Sequence, residues 1–180
     1  NGDYTCTTVK DAGDDPDVTN GVEIGARIRL LDTPIVHIDG GEGVGRITKK
    51  GLKVAVGKAA INPAPLEQIE ASVRSVLPEG KGAQVEIFVP QGAEIAQKTF
   101  NPRLGIVGGI SILGTTGVVR PMSEDAYKES LALELDMMAA AGKAACVFVF
   151  GELGKKMALS IGVEESRCIV TSNFLGYMLE

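Results

Sequence analysis

Several groups of side chains have the types and spacing to do chemistry. Gly41-Glu42-Gly43-Val44-Gly45-Arg46 sets one acid and one guanidinium in a glycine-rich backbone. Such backbones let N–H groups approach an anion. Arg46 has the fork geometry to grip a carboxylate bidentately, and Glu42 can serve as acid or base. The bland alternative is a glycine-bulged hairpin with exposed charges. Asp11, Asp14, Asp15 and Asp17 form an acidic cluster that can bind a divalent cation or supply a general base. The spacing is not that of an EF-hand, and on composition alone a solvated Asx-type turn is the favoured reading. Three segments end on small or polar residues: Gly108-Gly109-Ile110-Ser111, Phe150-Gly151-Glu152 and Thr171-Ser172-Asn173. At the carboxyl ends of parallel strands such residues suit a mononucleotide-sized ligand, with Glu152 placed for ribose hydroxyls.

Other machinery is missing. His37 is the single histidine, so a His-based metal site cannot form within this sequence, and no metal is expected. His37 falls in an alternating segment and reads as an ordinary strand residue. Gly114-Thr115-Thr116-Gly117 lacks the Lys-Ser/Thr of a Walker loop, and "LGIVGGIS" lacks the dinucleotide fingerprint.

The elements that must position these groups fall into two halves. Residues 1–101 read as an α+β domain. Strands are expected at Thr5–Val9, Val22–Leu31, Ile35–Ile38 and Ala83–Val89, and Ile47–Gly57 also alternates as a strand. A helix is expected from the shared face of Leu66, Ile69, Val73, Val76 and Leu77, opened by Pro63 or Pro65 and stopped by Pro78. Residues 102–180 read as a parallel-sheet, Rossmann-like half. "RLGIVGGISIL" is expected to be a strand buried on both faces. A helix follows from the Ser123 cap to about Ala141, with Tyr127, Leu131, Leu135 and Met138 inward. Then come "ACVFVF", a helix over 153–161, "RCIVTSN" and a helix from Phe174. The fold class is therefore mixed α/β.

A chain of 180 residues with net charge -5 and 44% apolar content is an ordinary soluble globular type, not a general nucleic-acid binder. Trp is absent, so base-stacking platforms are not expected. Cys6, Cys146 and Cys168 have no Cys-x-x-Cys spacing and read as reduced, small buried hydrophobes of a cytoplasmic protein. No stretch is long and apolar enough for a membrane span. The sequence opens without Met and ends in what reads as mid-helix, as in a piece of a longer protein.

Four stretches in order, "VKDAGDDPDVTNG", "GGEGVGRITKKGL", "AINPAP" and "TFNPRLGIVGGISILGTTGVVRPMS", closely resemble the cobalt-precorrin-5B C1-methyltransferase family of anaerobic cobalamin biosynthesis. The resemblance covers nearly the whole chain, and family members are about twice as long. It implies methyl transfer from S-adenosyl-L-methionine to ring carbon C1 of a cobalt corrinoid, a polycarboxylate macrocycle, giving cobalt-precorrin-6A. It lifts Asp14 and Asp15 as catalytic candidates, and Glu42, the acid of the glycine-rich loop, stands beside them. The chemistry of such a substrate makes Arg46, Lys49, Lys50, Asn101 and Arg103 candidates for holding it. For the cofactor the candidates are Gly108, Gly109, Ser111, Gly114, Thr115, Thr116 and Glu152, on the view that "GIVGGISILGTTG" leads from a buried strand into a helix. The resemblance leaves a homo-oligomer open. Two other readings stand beside it: a non-catalytic module for a nucleotide or tetrapyrrole, and a nicotinamide-dependent oxidoreductase.

Overall fold

A computed structural model describes residues 3–13, 17–114 and 123–180. The chain forms two compact units: Asn1–Lys49 with Lys53–Met122, and Lys50–Leu52 with Ser123–Glu180. Residues 102–114 thus belong to the first unit, and the boundary expected near Asn101-Pro102 falls instead before Ser123.

The first unit is built on a four-stranded mixed sheet of order β1-β2-β6-β3. β1 (Asp3–Val9) pairs antiparallel with β2 (Glu23–Leu31), β2 antiparallel with β6 (Gly82–Phe88), and β6 parallel with β3 (Val36–Gly40). The alternation of these strands gives the sheet one apolar face. There Ala83, Val85 and Ile87 are buried, and α1 (Pro63–Arg74) lays Leu66, Ile69 and Val73 on that core. Proline at its first turn starts α1, since the missing N–H has no helical partner there anyway. The helix ends at Arg74, so Val76 leaves the expected face and is 80% exposed.

Four two-residue strands complete this unit: β4 (Gly43–Val44), β5 (Arg46–Ile47), β7 (Ile106–Val107) and β8 (Gly109–Ile110). β4 pairs parallel with β8, and β5 antiparallel with β7. α2 (Gly92–Ala96) packs beside β8. Two expectations are corrected here. Residues 48–58 are turns, not strand: Gly51 and Gly57 have φ of 105° and 85°, and the Gly57 amide folds back to donate to the Ile47 carbonyl at 2.8 Å. "RLGIVGGISIL" is not one doubly buried strand, because Gly108 (φ 86°) breaks it and Val107 and Leu113 are exposed.

In the second unit α3 (Glu124–Ala140) starts on Ser123, whose Oγ accepts the Ala126 N–H at 3.3 Å. Leu131 is buried with Ile169 and Met178, and Tyr127, Leu135 and Met138 pack around them, as the periodicity requires. β9 (Val147–Val149) leads into α4 (Gly151–Ser160). β10 (Cys168–Val170) leads into α5 (Leu175–Leu179). β9 and β10 pair in parallel, and among the described residues the sheet holds these two strands, fewer than a Rossmann-like half requires. All three cysteines are free thiols, but Cys6 lies exposed on the edge strand β1 rather than buried.

Candidate functional site

The register of the sheet gathers the first unit's motifs at one end. Val9 pairs with Glu23 and Gly25 with Phe88, while β3 ends at Gly40 beside Ile87. The Asp-rich β1–β2 loop, the glycine-rich loop after β3 and the turn after β6 therefore leave the sheet at the same edge. Asp14 and Asp15 lie outside the described residues. Their neighbours show turn chemistry: Asp11 Oδ1 accepts the Gly13 N–H at 2.8 Å, and Asn20 Oδ1 accepts the Ala12 N–H at 2.9 Å. Asp17 pairs with Lys10 and accepts both the amide and the hydroxyl of Thr19. Burial pushes the Asp17 carboxyl up, but Lys10 and Thr19 outweigh it and hold the group below the usual range.

The glycine-rich loop is a backbone junction, not a phosphate cradle. Three of its amides are already used. Gly41 N–H donates to Ile87 O at 2.8 Å, Val44 N–H to Gly41 O at 3.2 Å, and Gly45 N–H to Ile110 O at 2.8 Å. Gly43 has φ of 70°, and a Cβ there would lie 2.8 Å from the Val89 carbonyl carbon and closer still to its oxygen. A Cβ on Gly109 would lie 2.7 Å from Gly45 N and run into the Gly43 carbonyl. The two glycine motifs, assigned separately to substrate and cofactor, thus pack against each other with no room for side chains between.

Asn101 and Ser111 serve the same junction. Asn101 is 7% exposed; its Nδ2 donates to Gly109 O at 3.0 Å, and its Oδ1 accepts from Ser111 Oγ at 3.1 Å. The second glycine motif is described up to Gly114, and the next described element is α3, from its Ser123 cap. Thr115 and Thr116 lie outside the described residues.

Arg46 does grip a carboxylate bidentately, but it is the protein's own. Nη1 and Nη2 donate to Asp39 Oδ1 and Oδ2 at 2.8 and 2.9 Å, and Nη2 also donates to Gly40 O at 2.7 Å. Burial pushes the Asp39 carboxyl up, while Arg46 and the Gly40 amide together hold it below the usual range. Asp39 was not singled out from the sequence. Its signal is a carboxylate seven residues before an arginine across a glycine turn, which brings the two chain segments side by side.

Beside Arg46 the surface is open at Val107 and Gly108. Val107, its cross-strand partner, is 58% exposed, and beside it Gly108 has nothing within 4 Å of the place a Cβ would take. Lys49 is exposed, with its stem over Gly105, and Arg103 stands 5.7 Å from the centre of the Phe100 ring. Glu42 is exposed; its carbonyl takes the Val89 N–H at 2.8 Å. Gly114 has Pro65 at 3.8 Å from a would-be Cβ. His37 is an exposed residue of β3. Lys50 is exposed and belongs to the second unit.

In the second unit Glu152 is exposed in the first turn of α4, following Gly151 at φ 60°. At the carboxyl end of β10, Thr171 is fully buried and its Oγ1 has no hydrogen-bond partner. Ser172, next in the chain, has φ of 50°, a left-handed conformation costly for a non-glycine residue. Among the described residues no group of three or more His, Cys, Asp or Glu comes together that would hold a metal ion, and no helix is long and apolar enough to cross a membrane.

These features define a two-unit mixed α/β protein whose glycine motifs form an internal junction beside an open, arginine-edged surface. The chain belongs to the CbiD family, whose model matches residues 1–121. It is 54% identical over 97% of its length to a Thermoanaerobacter protein and 51% identical over 99% to one from Alkaliphilus metalliredigens, both named cobalt-precorrin-5B C(1)-methyltransferase. The chain spans 48% of each of these relatives. Among solved structures it resembles a cobalamin biosynthesis protein (cbiD) from Archaeoglobus fulgidus, with TM-score 0.50 and 29% identity, covering 91% of this chain and 52% of that one.

Proposed function

We propose that this chain forms part of an S-adenosylmethionine-dependent enzyme that methylates C1 of cobalt-precorrin-5B, giving cobalt-precorrin-6A in anaerobic, cytoplasmic cobalamin biosynthesis. The names of the relatives support the reaction. The observation that carries the substrate side is the pairing of Arg46 with exposed Val107 beside bare Gly108. A corrinoid is a wide, flat, apolar body rimmed by carboxylates. It needs open apolar surface under the ring and fixed cations at its edge. Three of the five N–H groups of Arg46 are spent on Asp39 and Gly40, which lock the guanidinium in place and leave two for a ligand. Lys49 and Arg103 extend the basic edge, and Lys50 stays a candidate. Asn101 acts by holding the Gly109 strand in position.

S-adenosylmethionine, when bound, supplies a methyl group on an activated sulfonium. The carboxyl end of β10 and the start of α4 fit its nucleoside, because the orphaned Thr171 hydroxyl lacks a partner and Glu152 offers acceptors for ribose hydroxyls. A fuller Rossmann-like sheet in the complete polypeptide would complete this part. Within the first unit, taken by itself, Gly108, Gly114, Thr115 and Thr116 stay candidates for the methyl donor. Gly109 and Ser111 support that segment from the junction. Glu42 follows β3 at that end of the sheet, and Asp14, Asp15 and Glu42 are the acids available if a proton must be taken. The protein's main work is to align donor and acceptor, which contributes several kcal/mol.

The test is calorimetric titration of the full-length protein with S-adenosylhomocysteine and with the corrinoid. Arg46→Ala should weaken corrinoid binding about tenfold or more, as for loss of a charge-assisted hydrogen bond. Its S-adenosylhomocysteine affinity should stay within about twofold. Equal loss of both in a folded variant, or no S-adenosylhomocysteine binding with or without corrinoid, refutes the assignment.

A further inference from the structure

α4 carries an apolar stripe on the side turned away from its own sheet. Its inner side is small: Ala158 is buried against Val149 and Cys168, and Gly154 sits close over Val149. On the outside Phe150, Leu153, Met157 and Ile161 recur at helical spacing and are 62%, 81%, 68% and 75% exposed. A surface helix normally keeps one apolar face, turned to its core. Here the larger apolar side chains point outward, which is the pattern of a helix between two layers.

We propose that this stripe is an internal interface, covered by a segment of the same full-length polypeptide outside residues 1–180. Two observations favour that occupant. The chain accounts for 48% of the length of its curated relatives and 52% of the related crystallised chain, so comparable proteins carry as much polypeptide again. The sheet beneath α4 has two paired strands among the described residues, fewer than a stable layer needs, so the unit is open to further elements. The size of the stripe points the same way. Four side chains offer on the order of a few hundred Å². A standard dimer buries about 800 Å² on each partner. The stripe is therefore too small for a second copy by itself, while a single helix or strand laid along α4 would cover it.

The experiment uses the full-length protein in two forms. In the unmodified protein, peroxide oxidation of Met157 is followed by mass spectrometry, with buried Met137 and Met178 as references (both 8% exposed). Met157 should oxidise at least about tenfold more slowly than in the denatured protein. In the second form p-benzoylphenylalanine is placed at position 153 and irradiated. Crosslinks should fall within one polypeptide, on peptides outside residues 1–180. Oxidation of Met157 at the denatured rate overturns the proposal. So do crosslinks that join two chains, crosslinks confined to residues 1–180, and protection that disappears as a dimer is diluted to monomer.

Discussion

Gly43→Ala is the sharpest probe of the glycine junction, and Gly57→Ala is its internal control. Both positions have left-handed φ, 70° and 85°, so both variants bear about 1–2 kcal/mol of backbone strain. They differ in what surrounds them. A Cβ on Gly57 meets nothing within 4 Å, whereas one on Gly43 would lie 2.8 Å from the Val89 carbonyl carbon. Relief at position 43 requires β4 to move off the Val89 backbone by roughly an ångström, comparable to the overpacking that costs about 1–3 kcal/mol. That movement pulls on the Val89 N–H to Glu42 O bond of 2.8 Å, and Val89 is fully buried. A buried amide left without a partner costs about another 1–3 kcal/mol. Gly43→Ala should therefore destabilise the full-length protein by roughly 2–6 kcal/mol more than Gly57→Ala. Urea unfolding followed by circular dichroism reads this as a midpoint at least about 1 M lower at equal slope. Equal midpoints for the two variants would falsify the close-packed junction and return the loop to a surface role.

Other outcomes follow from the same geometry. The Asp39 carboxyl lies below the ordinary carboxylate value in the folded protein, so its pair with Arg46 stabilises fully above about pH 4 and is lost as pH falls through the folded value. The pair is about two-fifths exposed, so Asp39→Asn should cost only about 0.5–1 kcal/mol at pH 7. That gap should close in acid; a gap that persists to pH 2 contradicts the ionic origin. Asn101→Ala removes a donor to Gly109 O and an acceptor for Ser111, and should cost about 1–3 kcal/mol in urea unfolding. A change under about 0.5 kcal/mol would show that the buried amide is dispensable. Thr171→Val replaces a buried hydroxyl without a partner by a methyl group. Its stability should be unchanged or up to about 1 kcal/mol higher, while S-adenosylhomocysteine affinity drops severalfold by calorimetry. Unaltered affinity would place the methyl donor elsewhere.

Much of this protein is legible in local sequence, because local sequence controls local structure. Alternation over Glu23–Leu31 and Gly82–Phe88, proline at the start of α1, Ser123 ahead of α3 and its stripe through Leu131 all act over a few residues. The four ordered motifs were likewise enough to point to the family. What the tertiary structure decided are relations between segments distant along the chain. Gly43 and Gly109 each read as a glycine waiting for a ligand, yet the missing side chain of Gly109 makes room for the backbone of Gly43, and that of Gly43 for the backbone of Val89 and Gly92. Arg46 read as a free fork, but Asp39 on β3 already takes two of its five N–H groups. The apolar run around Gly108 read as a buried strand, because composition cannot show a left-handed φ that turns Val107 outward. Residue types set which groups were available; pairing and close packing, which depend on partners some 60 residues away (Gly43 with Gly109, Arg46 with Val107), set which of them remained free to meet a ligand.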